Sequence, residues 1–177
     1  TDGTDTTTQS ITVNVTDVND NPPAFTSGAT FNALENQLAI GTVTATVDRG
    51  SLSFSVSGSE LLITSTGVLS FAVAPDYEAK STYIATVTAS DGTLSTTQDI
   101  TVNVTNVNDN LPVFTSGATF SAAENQTRIL SVVELVDADG DTVTFKVSGS
   151  ELTINSYGVL SFVSAPDYEI KSSYTAT

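Results

Sequence analysis

"DITVNVT", Asp99–Thr105, is the stretch that decides the fold. In an extended chain, Ile100, Val102 and Val104 fall on one side and Thr101, Asn103 and Thr105 on the other, because successive side chains of a strand alternate between faces. Ile, Val and Thr are good strand formers, so the segment reads as a half-buried strand. The same period of two runs through "TVTATV" (Thr42–Val47), "LSFSVS" (Leu52–Ser57) and "YIATVTA" (Tyr83–Ala89). Gly41, Gly50, Gly58, Gly67 and Gly92 punctuate the turns, and no segment sustains a helical period. Short strands at roughly ten-residue spacing predict an all-β chain folded as antiparallel, Greek-key sandwiches of about seven strands, immunoglobulin-like in architecture. The expected core is Val43, Leu52, Phe54, Leu69, Tyr83, Ala85, Val87, Ile100, Val102 and Val104.

Reading outward, the strand belongs to an internal repeat. "TVNVT" occurs at Thr12 and at Thr101, "FTSGATF" at Phe25 and Phe114, "ENQ" at Glu35 and Glu124, "GVLSF" at Gly67 and Gly158, and "APDYE" at Ala74 and Ala165. Early pairs are 89 residues apart and later pairs 91, so the second copy has a two-residue insertion, where "VDRGSL" faces "VDADGDTV". A unit of this length is a domain and not a solenoid repeat. The expected organisation is 1–24 as the last strand and linker of a preceding repeat, 25–113 as one complete repeat with its linker, and 114–177 as a repeat without its last strands. The two ends complement each other. That predicts either a window onto a longer repetitive chain, or subunits joined head to tail in a filament, the N-terminal strand of one completing the C-terminal domain of the next.

Composition narrows the function. The chain has 177 residues, of which 20 are acidic and 5 basic, for a net charge of −15. Nucleic-acid affinity comes mostly from Lys and Arg, so a nucleic-acid partner is excluded, and a cation is favoured. There is no His and no Cys, which removes His-dependent triads and thiol nucleophiles. The acids cluster at predicted domain ends and not across a cleft, unlike a glycosidase pair. Few aromatics and no Trp argue against a carbohydrate-binding module, which remains the alternative. No long apolar run or signal peptide is visible. The abrupt ends predict a segment of something larger, extracellular or at a cell surface.

The oxygen-bearing side chains concentrate in "DVNDN" (Asp17–Asn21) and "NVNDN" (Asn106–Asn110), each following a strand of the TVNVT type, and in "PDYE" at Asp76/Glu78 and Asp167/Glu169. One or two Asn or Asp residues make a turn; four among five supply more oxygens than a turn uses. Calcium takes six to eight oxygen ligands, and acid-tipped domains flanking such a linker meet that demand.

Together with "LENQ", "AENQ" and "DAD" (Asp137–Asp139), these motifs stand in the order of the cadherin calcium motifs, and the chain resembles tandem cadherin repeats, of the Cys-free bacterial surface type. The resemblance implies a calcium-rigidified structural or adhesive module, a neighbouring repeat as partner, and no enzymatic activity. It implies that Glu35, Asp76, Glu78, Asn106, Asp109 and Asp139, with the Val107 carbonyl, hold two calcium ions. Asn108, Asp137 and Asp139, with the Asn110 carbonyl, would hold a third. Asn106 stands where the family usually has Asp, which weakens the middle site. At the other linker the implied ligands are Asp17, Asn19, Asp20, Asn21, Asp48 and Asp91; "DRG" replaces "DAD", so Arg49 stands beside the site and fewer ions are expected. Glu124, Asp167 and Glu169 would form a further half-site, and Asp2 the late aspartate of a completed C-terminal domain.

Overall fold

The computed structural model describes Gly3, Thr4 and residues 6–177. The chain divides into two units. The first holds the residues up to Asp76 together with Lys80–Thr105; the second holds Tyr77–Ala79 and Asn106–Thr177.

In the first unit, β1 (Ala24–Phe25), β2 (Thr30–Leu34), β3 (Ala39–Thr42), β4 (Ala45–Thr46), β5 (Ser53–Val56), β6 (Leu61–Ile63), β7 (Val68–Phe71), β8 (Thr82–Ser90) and β9 (Ser95–Thr105) follow one another with no helix. A four-stranded sheet has the order β2-β9-β8-β5 and a three-stranded sheet the order β3-β7-β6, with a short β1–β4 ladder beside them. The chain leaves the larger sheet after β5 and returns at β8, which pairs with β5, the long return of a Greek key. Alternation places Val87, Ile100, Val102 and Val104 from one sheet against Leu61, Leu69 and Phe71 from the other in a single cluster. Burying each such side chain is worth about 1.5–3 kcal/mol. Phe54 and Tyr83 pack at its margin, and Leu52 is half-buried. The expected core omitted Ala33, Leu61 and Phe71, which are buried.

Two expectations need correction. The predicted strand Thr42–Val47 is broken at Val43–Thr44, where the chain exchanges β7 for β1 as its partner. Val43 N–H donates to the Gly67 carbonyl at 2.8 Å, and Thr44 N–H to the Ser27 hydroxyl at 3.1 Å, so the break leaves no unmet donor. Gly67 has φ +89° and a Cβ there would lie 2.2 Å from the Val43 carbonyl oxygen. Nor is the sandwich wholly antiparallel, because β2 pairs with β9 in parallel, Thr30 opposite Thr101 through Leu34 opposite Thr105. Parallel neighbours need a long connection, and here nearly the whole domain separates the two strands.

The second unit contains β10 (Val113–Phe114), β11 (Arg128–Val132), β12 (Leu135–Val136), β13 (Leu152–Ile154) and β14 (Val159–Phe162). The β11-β14-β13 sheet and the β10–β12 ladder copy the smaller sheet and the short ladder of the first unit. The equivalent of the larger sheet is not laid down as strands among the described residues. Among the described residues of this unit, Ile129 and Leu160 are buried. One polar clasp is common to both units. Lys80 Nζ meets Glu60 at 2.5 Å and lies 4.4 Å from the Tyr83 ring; Lys171 Nζ meets Glu151 at 2.6 Å and lies 4.5 Å from the Tyr174 ring.

Candidate metal centre

The acidic motifs are each held by backbone hydrogen bonds within their own unit. Glu35 follows β2, is 4% exposed, and its N–H donates to the Thr105 carbonyl. Asn36 then takes φ 62° and donates its N–H to the Pro75 carbonyl at 2.9 Å. Asn125 repeats both, with φ 62° and a 2.9 Å bond to the Pro166 carbonyl. Asn tolerates the left-handed region better than most residues, which explains why "EN" is the repeated pair. In the PDYE segments, the Asp76 and Asp167 carbonyls accept from the N–H groups of Lys80 and Lys171. The Asp167 carboxylate also accepts from the Glu169 and Ile170 N–H groups.

In the second unit, Glu78, Asp109 and Asp139 each bring a carboxylate oxygen within 4.8 Å of the others. Asn110 stands at their centre. Its amide nitrogen donates to Asp109 at 2.8 Å, Asp139 at 3.1 Å and Glu78 at 3.2 Å, while its backbone N–H donates to Asp139 at 2.8 Å. The Asn106 amide nitrogen donates to the Asp139 carbonyl at 3.0 Å, but its Oδ1 is buried without a hydrogen-bond partner. Burial raises the Asp139 carboxyl, yet donation from the side chain and backbone of Asn110 outweighs it and holds the group below its ordinary value. It therefore stays ionised at neutral pH. Asp137 lies outside this trio, and its carboxylate accepts from Asp141 N–H at 3.3 Å. Asn108 and Val107 are exposed in the linker. A second trio, Glu124, Asp167 and Glu169, also converges within 4.8 Å, with Tyr168 N–H donating to Glu124 at 3.0 Å.

The linker Asp17–Asn21 belongs to the first unit and is organised differently. Arg49 Nη1 donates to the Asp17 carbonyl at 2.7 Å, and its Nε lies 3.7 Å from the Asp17 carboxylate. Asn21 donates to Asp20 at 2.7 Å and to Asp48 at 3.3 Å. Asn19 donates to Asp91 at 3.2 Å, and its own Oδ1 is buried without a partner. Asp91, 5% exposed, accepts from the Leu94 and Thr93 N–H groups at 2.7 and 2.8 Å. Those bonds, with that from Asn19, hold its carboxyl below the ordinary value. Gly50 belongs to this site too, because a Cβ there would lie 2.5 Å from the Asp91 carbonyl oxygen. Sequence reading assigned it only a turn; its place between Arg49 and the shortened loop was the available signal. Asp2 lies outside the described residues.

Three carboxylates and one orphaned amide oxygen form a donor set of hard oxygens, which suits a calcium ion and offers no nitrogen or sulfur for softer metals.

No family model matches the chain. It is 34% identical over 188 residues to human cadherin EGF LAG seven-pass G-type receptor 2, covering 94% of this chain and 6% of that protein. It is 31% identical over 200 residues to human protocadherin Fat 1, covering 97% of this chain and 4% of that protein. The chain thus spans only a small fraction of these relatives. Among solved structures, protocadherin gammaB7 EC3-6 superposes with a TM-score of 0.71 at 26% identity, over 89% of this chain and 47% of that one. Human protocadherin-24 EC1-2 gives a TM-score of 0.71 at 22% identity, over 84% and 80%. Repeat order, sandwich topology and these likenesses agree: the chain is built of cadherin repeats and belongs to that family.

Proposed function

We propose that the chain is a calcium-stiffened structural and adhesive module of an extracellular protein, with repeats bounded as 1–24, 25–113 and 114–177. The observation that carries it is the trio Glu78, Asp109 and Asp139 beside Asn106, whose buried Oδ1 has no donor. A calcium ion there would meet the carboxylates and that oxygen together. The motif order adds Glu35 and Asp76, Asn108 and Asp137, and the Val107 and Asn110 carbonyls to the ligand set. Asp17, Asn19, Asp20, Asn21, Asp48 and Asp91 form the poorer set, and Glu124, Asp167 and Glu169 a half-site.

The function is electrostatic. In a chain of net charge −15, carboxylates gathered at a linker repel one another and favour a mobile connection. Calcium removes that repulsion and supplies bonds that hold the linker. Extracellular sites of this kind have dissociation constants on the order of 10⁻⁴–10⁻³ M, so ~10 mM calcium contributes about 1.4–2.7 kcal/mol per site. Weak sites suit a permanently calcium-rich exterior. No helix among the described residues is long and apolar enough to cross a membrane. The absence of Cys and the close similarity of the Thr-rich copies favour a bacterial-type surface protein.

A carbohydrate-binding role has less support, because Phe25, Phe31, Phe54, Phe71 and Tyr83 pack in or against the core of the first unit. Calorimetric titration with calcium, paired with melting, tests the proposal. Saturable binding in the submillimolar to millimolar range with a rise in melting temperature is expected. An unchanged melt at 10 mM calcium would reject the calcium role.

A further inference from the structure

The earlier repeat offset of 89 residues sets Asp17 against Asn106, Asp48 against Asp137, Arg49 against Ala138 and Gly50 against Asp139. Only Asp48 and Asp137 agree. The other changes go together: Asn, Ala and Asp around the second linker become Asp, Arg and Gly around the first. The aspartate lost from the loop returns in the linker, and a positive charge comes with it.

The structure shows what each exchange does. Asp139 gathers its linker, accepting from the Asn110 N–H and amide through its carboxylate and from the Asn106 amide through its carbonyl. Gly50 cannot be replaced by such a residue. Its φ is +89°, and a Cβ there would lie 2.5 Å from the Asp91 carbonyl oxygen, so backbone fills the space that an aspartate would need. Arg49 does the gathering instead. Its Nη1 donates to the Asp17 carbonyl at 2.7 Å and its Nε lies 3.7 Å from the Asp17 carboxylate. Asn21 to Asp48 and Asn19 to Asp91 add two more ties between this linker and the loops it faces. All of these groups lie in the first unit. Among the described residues, no three carboxylates of this set converge within 4.8 Å as Glu78, Asp109 and Asp139 do. Asn19 Oδ1 has no partner, but one orphaned oxygen without such a trio falls short of the six to eight that calcium takes.

We infer that Arg49 is the resident cation of the first linker, and that its guanidinium latches Asp17–Asn21 to the loops at Asp48–Gly50 and Asp91 whether or not calcium is present. A guanidinium is always charged, and its rigid fork of donors can hold a carbonyl and a carboxylate together. Both side chains of the pair are more than half exposed, so the latch is a modest one. The two linkers then differ in kind: the first is closed without metal, and the second answers to it. The inference rests on the proposed calcium role only for that contrast, because the latch itself is read in the absence of metal.

Backbone amide relaxation by NMR on the 177-residue chain, in EDTA and in calcium, tests it. Residues 17–21 should have order parameters near the rigid-backbone value of about 0.85 in both buffers, and Arg49→Gln should lower them towards about 0.6 in EDTA. Arg49→Lys keeps the charge without the fork and should fall between the two. None of these residues belongs to the core cluster, so each variant should keep the cooperative melt of the first unit. A parent chain whose residues 17–21 are mobile in EDTA and ordered only by calcium overturns the inference. So does an Arg49→Gln chain as ordered there as the parent. The calcium role fails separately, if residues 106–110 do not respond to calcium, and the EDTA comparison of parent with Arg49→Gln decides the latch in either case.

Discussion

The two linkers share nearly the same letters but face different neighbours. "DVNDN" begins with an Asp whose carbonyl and carboxylate face the Arg49 guanidinium. "NVNDN" begins with an Asn whose oxygen has no donor, beside a trio of carboxylates that share the Asn110 amide. In the first, a permanently charged side chain offsets part of the acid repulsion without leaving the chain. In the second, the proposed calcium would supply the offset. The difference teaches that, if calcium binds as proposed, linker sequence alone does not set the demand for it. The loop facing it does, "DRG" in one repeat and "DADGD" in the next.

The harshest test of that contrast is Asp109→Ala. Asp109 belongs to the trio and, on the proposed assignment, would bridge two ions, so its loss should remove most of the calcium-induced stabilisation at that linker, about 3–5 kcal/mol for two sites at ~10 mM calcium. Melting with and without calcium reads the loss. A mutant that keeps the parental calcium-induced rise would show that the ligands have been misassigned.

Arg49→Asp attacks the contrast from the other side. It removes the internal cation and adds an acid beside the place of the lost aspartate, in the loop that faces the first linker. In EDTA the chain should lose about 0.5–1 kcal/mol, the worth of an exposed ion pair and its hydrogen bond. In calcium it should regain stability, and titration should count an additional bound ion. If the stoichiometry does not change, Arg49 is a bystander, and the first linker is poor in metal for another reason.

Much of this was legible in the sequence because the physics involved is local. Period-two alternation in Asp99–Thr105 placed Ile100, Val102 and Val104 in the core, where they are. Repeat phase also set "DRG" against "DAD", with Arg49 beside the place of the lost aspartate. What escaped was long-range or short. Leu61 lies in a three-residue strand and Phe71 closes a four-residue one, too brief for a period to show. The parallel β2–β9 pairing joins segments 71 residues apart, and no local pattern announces it. The break at Val43–Thr44 is invisible because Val and Thr suit a strand; what interrupts it is a change of partner. At the site, the motifs named the acids, but not that Asn110 would sit among Glu78, Asp109 and Asp139, nor that Gly50 must leave room for the Asp91 carbonyl.

The smallest expected effect serves as a control on the comparison. Lys80 pairs with Glu60 and lies over Tyr83, whose ring meets Phe71 edge-on at 5.0 Å. Lys171, Glu151, Tyr174 and Phe162 repeat the arrangement, with the rings again 5.0 Å apart. The clasp is therefore the same in both repeats, while the linkers differ. Lys80→Met keeps the aliphatic stem and removes the charge, so it loses a half-exposed ion pair and a cation–π contact, about 0.5–1 kcal/mol. For a domain of this size that is a fall of about 2–8 °C in melting temperature. The calcium-induced shift should be unchanged, since the side chain touches none of the linker acids in either set. A Lys80→Met chain whose calcium response falls along with its stability would mean that the PDYE segment, and not the linker, transmits the metal's effect, and the contrast between the two linkers would then have to be traced to the loops that precede them.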